Sequence, residues 1–482
     1  MGWTMALALV GASVTAYFIF GALQWCRRRL DARPLPHWSW PIVGEVIPLM
    51  VTSDPEKMWT SRFGLYGTRT QLFVTCEPED VKRVFAADGK QVQLKVQGWV
   101  PPHIFELEGN AITAVVGPLH KVLRKSLFTL FSTNAMKNYF DTMKYFAEKH
   151  VREWKATQGP LTMLPLLRAL AYEIVYGCMI DKETAMNTEQ VKVYEEWIQA
   201  FSSLPLRIAG STFMRSLAAR KKLQQSVKAL LHQAQREQNN PSENQQKETV
   251  VSMLLRVAAE MKPCGEEGGD DVVLDEDTII DNLLLFLLAG HETVLSTLCS
   301  LMKVLPQHPE VVRKAQQEIQ QKAPSGEDLT YERVQSLSYC TAVVTELLRY
   351  VPPVLASARE VLQPITLGPH TIPTGDIIVV SFQGVHHQAF TDPHVFDPDR
   401  FDREAEAYSS RYKDDDRSCF FSFASGIRSC IGMKFAIMEV VTLLAVLMRE
   451  KVVWELVPGQ DLSMVRGGLS LKYKSGVVVN ML

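Results

Sequence analysis

The sequence predicts a mainly α-helical fold with small β-sheets, arranged as one globular body behind an N-terminal membrane anchor. Three observations carry that expectation in a chain of 482 residues. The apolar run between Asp275 and Pro306 is too long for any strand. Segments rich in β-branched residues and bounded by Gly and Pro are short and few. The stretch from Trp3 to Leu23 contains no charged residue.

In chain order, Trp3 to Leu23 is long enough to cross a hydrocarbon core of ~30 Å, and Arg27, Arg28 and Arg29 close it and stay on the cytosolic side. A cleaved leader would carry its charges before a shorter apolar run and end on a small-residue cleavage site. An uncleaved signal anchor over residues 1–33 is therefore expected. Pro34, Pro36 and Pro41 stiffen the exit and stop any helix from continuing, so residues 34–482 form the body. Within it, Leu72 to Thr75 and Thr371 to Gln383 read as strands, and most of the remainder is helical by pattern. The polar stretches Gln235 to Lys247 and Lys262 to Asp271 read as exposed loops, because helical segments resume promptly after each. No internal repeat is present.

Charge is nearly balanced, with 51 Lys+Arg against 53 Asp+Glu and a formal net charge of −2. No basic block or aromatic-basic stripe appears, which excludes nucleic acid as an expected partner. The cysteines at 26, 76, 178, 264, 299, 340, 419 and 430 form no Cys-x-x-Cys pair. Neither a disulfide framework nor a zinc site is indicated, and a reducing compartment fits the body.

The residues with chemical potential lie in four places. In Phe423-Ala424-Ser425-Gly426-Ile427-Arg428-Ser429-Cys430-Ile431-Gly432 a glycine turn and an arginine precede one cysteine, and a helix-compatible run follows. The sulfur then sits at a helix N-terminus, which favours the thiolate. Gly426 suits a positive φ, Gly432 lets the backbone approach the sulfur, and Arg428 offers a fork to an anionic edge. This is how a chain presents a single thiolate to a flat, metal-bearing macrocycle. The second place is Ala289-Gly290-His291-Glu292-Thr293, inside the long apolar helix. The small pair opens the helix surface, Thr293 can hydrogen-bond a ligand, and Glu292 beside it makes an acid-hydroxyl proton relay. The third is Glu346 and Arg349, an acid and base three residues apart among apolar neighbours, which need further partners if buried. The fourth is His120 and Arg124, four residues apart and therefore on one helix face.

At these residues the chain resembles the cytochrome P-450 family. Its haem loop, Phe-x-x-Gly-x-Arg-x-Cys-x-Gly, is complete here, and Ala289 to Thr293 is similar to its oxygen-activating helix. The resemblance implies a haem b cofactor whose iron takes Cys430 as axial thiolate. It implies a structural triad of Glu346, Arg349 and Arg400, the last from Pro398-Asp399-Arg400-Phe401, that holds the loop delivering Cys430. It implies cofactor contacts from Arg428, Arg124, His120, Arg359, Phe423, Gly432 and Ala289, with Thr293 and Glu292 as the catalytic pair. His120 stands where the family has Trp, Ser422 replaces a frequent proline, and Ala424 and Ser425 occupy positions often held by glycine. His291, the variable position of its motif, receives no role.

The implied activity is monooxygenation of a hydrophobic small molecule with O2 and two external electrons, since no dinucleotide fingerprint appears in the chain. The implied partner is an NADPH-dependent flavoprotein reductase at a membrane. The catalytic domain would be cytosolic, on the endoplasmic reticulum or a plastid envelope. Around Trp99 to Pro102 and His120 to Ser126 the chain is most similar to family members acting on isoprenoids: sterols, retinoids and terpenoids. Trp99, Val100, Ile104, Phe286, Ala289, Val354 and Leu355 are the expected pocket residues. Two rival readings are a haem-thiolate isomerase or dehydratase acting on hydroperoxides, whose members tend to lack the threonine seen at 293, and a non-catalytic membrane-anchored haem or lipid carrier.

Overall fold

The computed structural model describes residues 63–64, 71–94, 109–180, 188–203, 207–239, 249–260, 274–402, 412, 417–467 and 470–482. The anchor at 1–33, the proline-rich exit, Trp99, Val100 and Ile104 lie outside the described residues, as do positions 240–247 and 262–271 of the two polar stretches. The helices used below are α1 (Pro78–Ala86), α2 (Gly117–Phe128), α3 (Thr133–Ala156), α4 (Met163–Met179), α5 (Thr188–Gln199), α6 (Thr212–Asn239), α7 (Val250–Glu260), α8 (Glu276–Val304), α9 (Pro309–Lys322), α10 (Tyr331–Gln335), α11 (Ser338–Tyr350), α12 (Phe382–Ala389) and α13 (Met433–Arg449). The strands are β1 (Phe63–Gly64), β2 (Gln71–Thr75), β3 (Val92–Leu94), β4 (Leu161–Thr162), β5 (Ala356–Val361), β6 (Ile365–Leu367), β7 (His370–Ile372), β8 (Ile377–Ser381), β9 (Trp454–Leu456), β10 (Met464–Gly467), β11 (Ser470–Tyr473) and β12 (Val478–Met481). The chain packs as two compact units, one made of the described part of Met1–Lys95 with Ala356–Gln388, the other of Val96–Leu355 with Ala389–Leu482.

The first unit is organised on a five-stranded sheet in the order β1-β2-β8-β5-β3. β2 and β8 run parallel with Leu72 opposite Ile377, and the other pairs are antiparallel. Every residue of β8 is buried, which is why its sequence IIVVS shows no polar alternation. The expected strand from Thr371 to Gln383 is in fact two strands and the start of a helix. Pro373 and Gly375, the latter at φ +87°, break it, and Phe382 opens α12.

In the second unit α8 is the central element. Asp275 caps it, accepting from the Thr278 amide at 2.8 Å, and Glu276 and Asp277 complement the positive end of the dipole. Among the described residues one helix, extended to Glu276–Gln307, is long and apolar enough to cross a membrane, but 72% of its most apolar window is buried inside the protein. Its hydrophobicity is that of a core helix. α4 lies against α8, and Gly290 explains the closeness: an added Cβ would stand 3.2 Å from Val175 Cγ2 on α4. The glycine expected to make room for a ligand serves helix packing instead. α6 also corrects an expectation, since it continues through Asn239 and so absorbs the start of the polar stretch read as a loop.

Glu346, Arg349 and Arg400 meet with all three side chains fully buried. Arg349 forks onto Glu346 with Nε–Oε2 of 2.7 Å and Nη2–Oε1 of 2.8 Å, while Arg400 Nε stands 3.4 Å from Oε2. Glu346 Oε1 also accepts from the Asp397 amide, and Arg349 donates to the carbonyls of Pro393 and Val395. These extra bonds offset the desolvation that a bare buried pair would suffer. Arg417 Nε donates to Arg400 O, and Ser422 Oγ donates to Leu348 O, which ties α11 to the approach of the 423–432 loop. Removing the acid with Glu346→Ala should cost about 3–5 kcal/mol by stranding two buried arginines. Chemical denaturation measures this, and a loss below 1 kcal/mol would contradict the buried-pair reading.

Candidate active site

Cys430 is aimed by the backbone around it. Its amide donates to Phe423 O at 2.9 Å, the Ser429 amide donates to Gly426 O, and the Ala424 amide donates to Phe421 O. Gly426 adopts φ +71° as its sequence suggested. Ala424 also lies in the left-handed region at φ +55°, so one position often glycine in the family needs that conformation here and is filled by a residue that disfavours it. Ser425 is extended at φ −150° and has no need of glycine. Ser422 replaces proline with a hydroxyl that donates to Leu348. Gly432 caps α13 at φ −87°, and an added Cβ would sit 3.9 Å from Cys430 Sγ, an ordinary contact. Room for a Cβ therefore exists between Gly432 and the sulfur.

Cys430 is exposed by surface area, yet enough protein surrounds its sulfur for desolvation to raise the thiol pKa; the Gly432 amide and the Arg124 charge oppose that rise. Three nitrogen-bearing side chains stand beside it. Arg124 donates through Nη1 to Ser429 O at 2.7 Å and through Nη2 to Ser429 Oγ at 2.8 Å. Arg428 donates through Nη1 to Ile112 O at 3.0 Å and through Nη2 to Val115 O at 2.7 Å, so its fork holds backbone in addition to any anion it could meet. His120 is buried on α2, and burial, then Arg428 and Arg124, push its pKa down to about 4. A neutral imidazole N–H and two guanidinium groups thus form an electropositive rim.

The segment between Gly109 and Val116 connects this rim to α8. Asp281 Oδ2 accepts from the Asn110 amide at 2.8 Å and Asn282 Oδ1 from the Ile112 amide at 3.0 Å. Arg220 of α6 and Gln224 both bond Asp281 Oδ1. Gly109 is at φ +63°, and an added Cβ would collide with the Asp281 carboxylate.

On α8 most of the surface is buried, and between its terminal turns Leu285, Phe286, Ala289, Gly290 and Thr293 are the part that is not. Ala289 is exposed, and Thr293 Oγ1 donates to Ala289 O at 2.8 Å, which leaves its lone pairs to accept from a ligand. Phe286, expected in the pocket, closes an aromatic cluster with Phe131 at 6.3 Å and Phe435 at 5.8 Å, and the Phe131 ring reaches the Cβ direction of Gly432 at 3.8 Å. That cluster joins the accessible face of α8 to the Cys430 loop.

Glu292 departs from the expectation of a carboxylate in exchange with water. It is 1% exposed, 3.0 Å from Lys472 Nζ on β11 and 3.3 Å from His291 Nδ1. Burial raises its pKa, but His291 and Lys472 more than reverse this, so it is held ionised. His291, Lys472, Tyr194 and Tyr172 are site residues that sequence reading missed. His291 occupies a variable motif position, and only packing brings α4, α5 and β11 to it. Ser429 was also missed, although its place between Arg428 and Cys430 was a signal. Arg359 belongs to the first unit, where its Nε donates to Asp88 Oδ2 at 2.8 Å and Nη1 to Ser357 Oγ at 2.7 Å with the group almost wholly buried. This buried acid partner was not legible in the sequence. Phe423 is half-buried against Phe420 at 6.2 Å, and Val354 and Leu355 are half-buried after α11.

Among the described residues no three His, Cys, Asp or Glu side chains converge to hold a bare ion. A metal taken by Cys430 would bring its other ligands with it, and the cationic rim fits an anionic edge of such a group. The fold and donor set describe a helix-rich protein with one thiol at a helix start beside a cationic rim. The family model described as Cytochrome P450 matches residues 35–476. The chain is 26% identical to taxane 10-beta-hydroxylase of Taxus cuspidata, covering 90% of this chain and 86% of that one. It is 24% identical to abscisic acid 8'-hydroxylase 1 of Arabidopsis thaliana, covering 94% and 93%. Its fold matches a solved structure, retinoic acid bound cyanobacterial CYP120A1, with a TM-score of 0.79 at 24% identity over 92% of this chain and 97% of that one. The chain belongs to the cytochrome P450 family, whose members are oxidoreductases with a haem held by a cysteine thiolate, and it is a monooxygenase of that family.

Two predictions test the local physics. Ala424→Gly should stabilise the protein by up to about 1 kcal/mol, because relief of left-handed strain exceeds the added chain entropy; a thermal shift downward would show the strain is absent. Because His120 in the haem-free fold binds a proton only near pH 4, against an ordinary value of 6.5 unfolded, its contribution to stability is present above about pH 6.5 and lost as pH falls toward 4. Denaturation of haem-free protein across that window should show a shallower pH slope in His120→Phe than in the parent, and equal slopes would refute the burial effect.

Proposed function

We propose that this monooxygenase acts on a hydrophobic small molecule of isoprenoid type, a sterol, retinoid or terpenoid, with electrons from an NADPH-dependent flavoprotein reductase. The observation that carries the reading is the accessible strip of Ala289 and Thr293 on a mostly buried helix, joined to the Cys430 loop at Gly432 by Phe286 and Phe131. The isoprenoid class is supported by the relatives named for taxane, abscisic acid and retinoic acid, all built on isoprene skeletons.

Cys430 would hold the haem iron through its thiolate. Arg124 and His120 would donate to the anionic edge, each guanidinium still having N–H groups beyond those committed to backbone or Ser429, and Arg428 would do so while holding the Ile112 to Val115 carbonyls. When bound, the haem supplies activation of dioxygen, and its thiolate ligation favours O–O cleavage. Ala289 leaves room at the helix surface. Thr293, its own hydrogen spent on Ala289 O, accepts from a proton-bearing group and passes the proton on by rotating its hydroxyl. Glu292 stores the proton for that hydroxyl once freed from Lys472. The apolar segment at Trp3 to Leu23 would hold the enzyme on the endoplasmic reticulum or a plastid envelope and bring it to the reductase and to membrane-soluble substrate.

Titrating the holoprotein with retinoic acid, a sterol, a diterpene and an unbranched fatty acid while following the Soret band tests the substrate class. The isoprenoids should shift the band at tenfold or more lower concentration than the fatty acid, and the reverse order would overturn the assignment. In reductase-supported turnover, Thr293→Ala should keep NADPH oxidation but raise hydrogen peroxide per NADPH several-fold. Cys430→Ser should abolish the thiolate-specific absorption of the reduced carbon monoxide complex.

A further inference from the structure

Glu292 is placed by its geometry where water does not reach it, and a cluster of unsatisfied polar groups lies behind it. His291 is 0% exposed, and its Nδ1 stands 3.2 Å from Tyr194 Oη and 3.3 Å from Glu292 Oε1. Its ring packs against both Tyr172 at 4.8 Å and Tyr194 at 5.3 Å, and the two tyrosine rings meet edge to face at 4.6 Å, so the three form a triangle. His291 Nε2, Tyr172 Oη, Trp197 Nε1 and Arg168 Nε are all buried without a hydrogen-bond partner. Buried polar atoms are ordinarily satisfied, and when protein does not satisfy them, ordered water does. Arg168 lies one turn before Tyr172 on α4 and pairs at 3.1 Å with Glu195, the partly exposed neighbour of Tyr194 on α5.

We propose that His291 and Tyr194 are positioning residues that act through Glu292, forming a buried arm that supplies its proton from the α4–α5 side of the protein. The inference rests on the reading of Glu292 as the distal acid. One imidazole nitrogen faces the carboxylate, the other is itself buried without a partner, and the step follows from that arrangement. A proton of solvent hydronium enters at Nε2 and leaves water behind, the Nδ1 proton passes to Glu292 Oε1, and the product is a neutral carboxylic acid with the imidazole in its other tautomer. No electron moves, and a half-turn of the ring resets it. Tyr194 Oη competes with Glu292 for Nδ1 and so keeps the ring aimed. The charged and titratable groups facing the pair are Arg168 and Tyr172 from α4, Tyr194 and Glu195 from α5, Cys299 from α8 and Lys472 from β11. Burial, reinforced by Arg168 and Lys472, lowers the His291 pKa, which keeps the resting ring neutral and able to accept.

The test has two arms on the holoprotein. In the first, selective 15N-histidine NMR of the diamagnetic reduced carbon monoxide form, with His291 assigned by its loss in His291→Gln, should show a neutral ring between pH 6 and 8. Its nitrogen shifts should change in Tyr194→Phe. A ring protonated at pH 7, or shifts unaffected by Tyr194→Phe, overturns the proposal without requiring any variant to turn over. In the second arm, reductase-supported NADPH oxidation is followed without added substrate, reading hydrogen peroxide against water formed. His291→Gln retains a hydrogen bond to Glu292 but cannot relay a proton, so it should cut water formation about tenfold and change the solvent isotope effect, as Glu292→Gln does. If Glu292→Gln disturbs the peroxide-to-water ratio and His291→Gln does not, the arm is refuted alone. If neither does, the distal-acid reading fails with it.

Discussion

A continuous run of hydrogen bonds sets how the accessible face of α8 stands relative to Cys430. Asp281 and Asn282 on α8 hold the amides of Asn110 and Ile112, the carbonyls of Ile112 and Val115 hold Arg428, and Arg428 is two residues from the sulfur. Each bond is worth only about 1 kcal/mol net. Together they join two elements far apart in sequence through short, directional links, and a site that must fit a flat group between a helix and a thiol requires that rigidity. Arg124 adds a second link, from α2 to Ser429, and the Phe131-Phe286-Phe435 cluster fills the space behind both.

The buried charges of the second unit divide by what surrounds them. Glu346 is met by two arginines and a backbone amide, so its charge is compensated on every side and its role is to hold α11 to the segment that leads to the loop. Glu292 is met by Lys472 and by an imidazole shared with Tyr194, and those partners hold its pKa down although it is buried. The first carboxylate also grips backbone, through the Asp397 amide, whereas the second is met by side chains.

Much of this was legible in advance. The long helix at Glu276–Val304, the strand at Gln71–Thr75 and the turn at Gly426 all express local rules: apolar periodicity, β-branched content, a residue without Cβ. The triad of Glu346, Arg349 and Arg400 was inferred from resemblance and meets in the fold. What residue type and motif could not reveal were the partners the fold adds: Val175 against Gly290, two backbone carbonyls at Arg428, Lys472 with His291 at Glu292, and Asp88 at Arg359.

The sequence by itself determined the helix-rich class, the one cysteine offered at a helix start, and the pairing of Ala289 and Thr293 on one helix face, because each depends on spacing along the chain. Tertiary structure alone decided which polar groups share a proton or a charge. Tyr194, His291, Glu292 and Lys472 come from three elements, and whether a buried nitrogen finds a carboxylate, a hydroxyl or nothing depends on distances of a few ångströms that no linear pattern encodes.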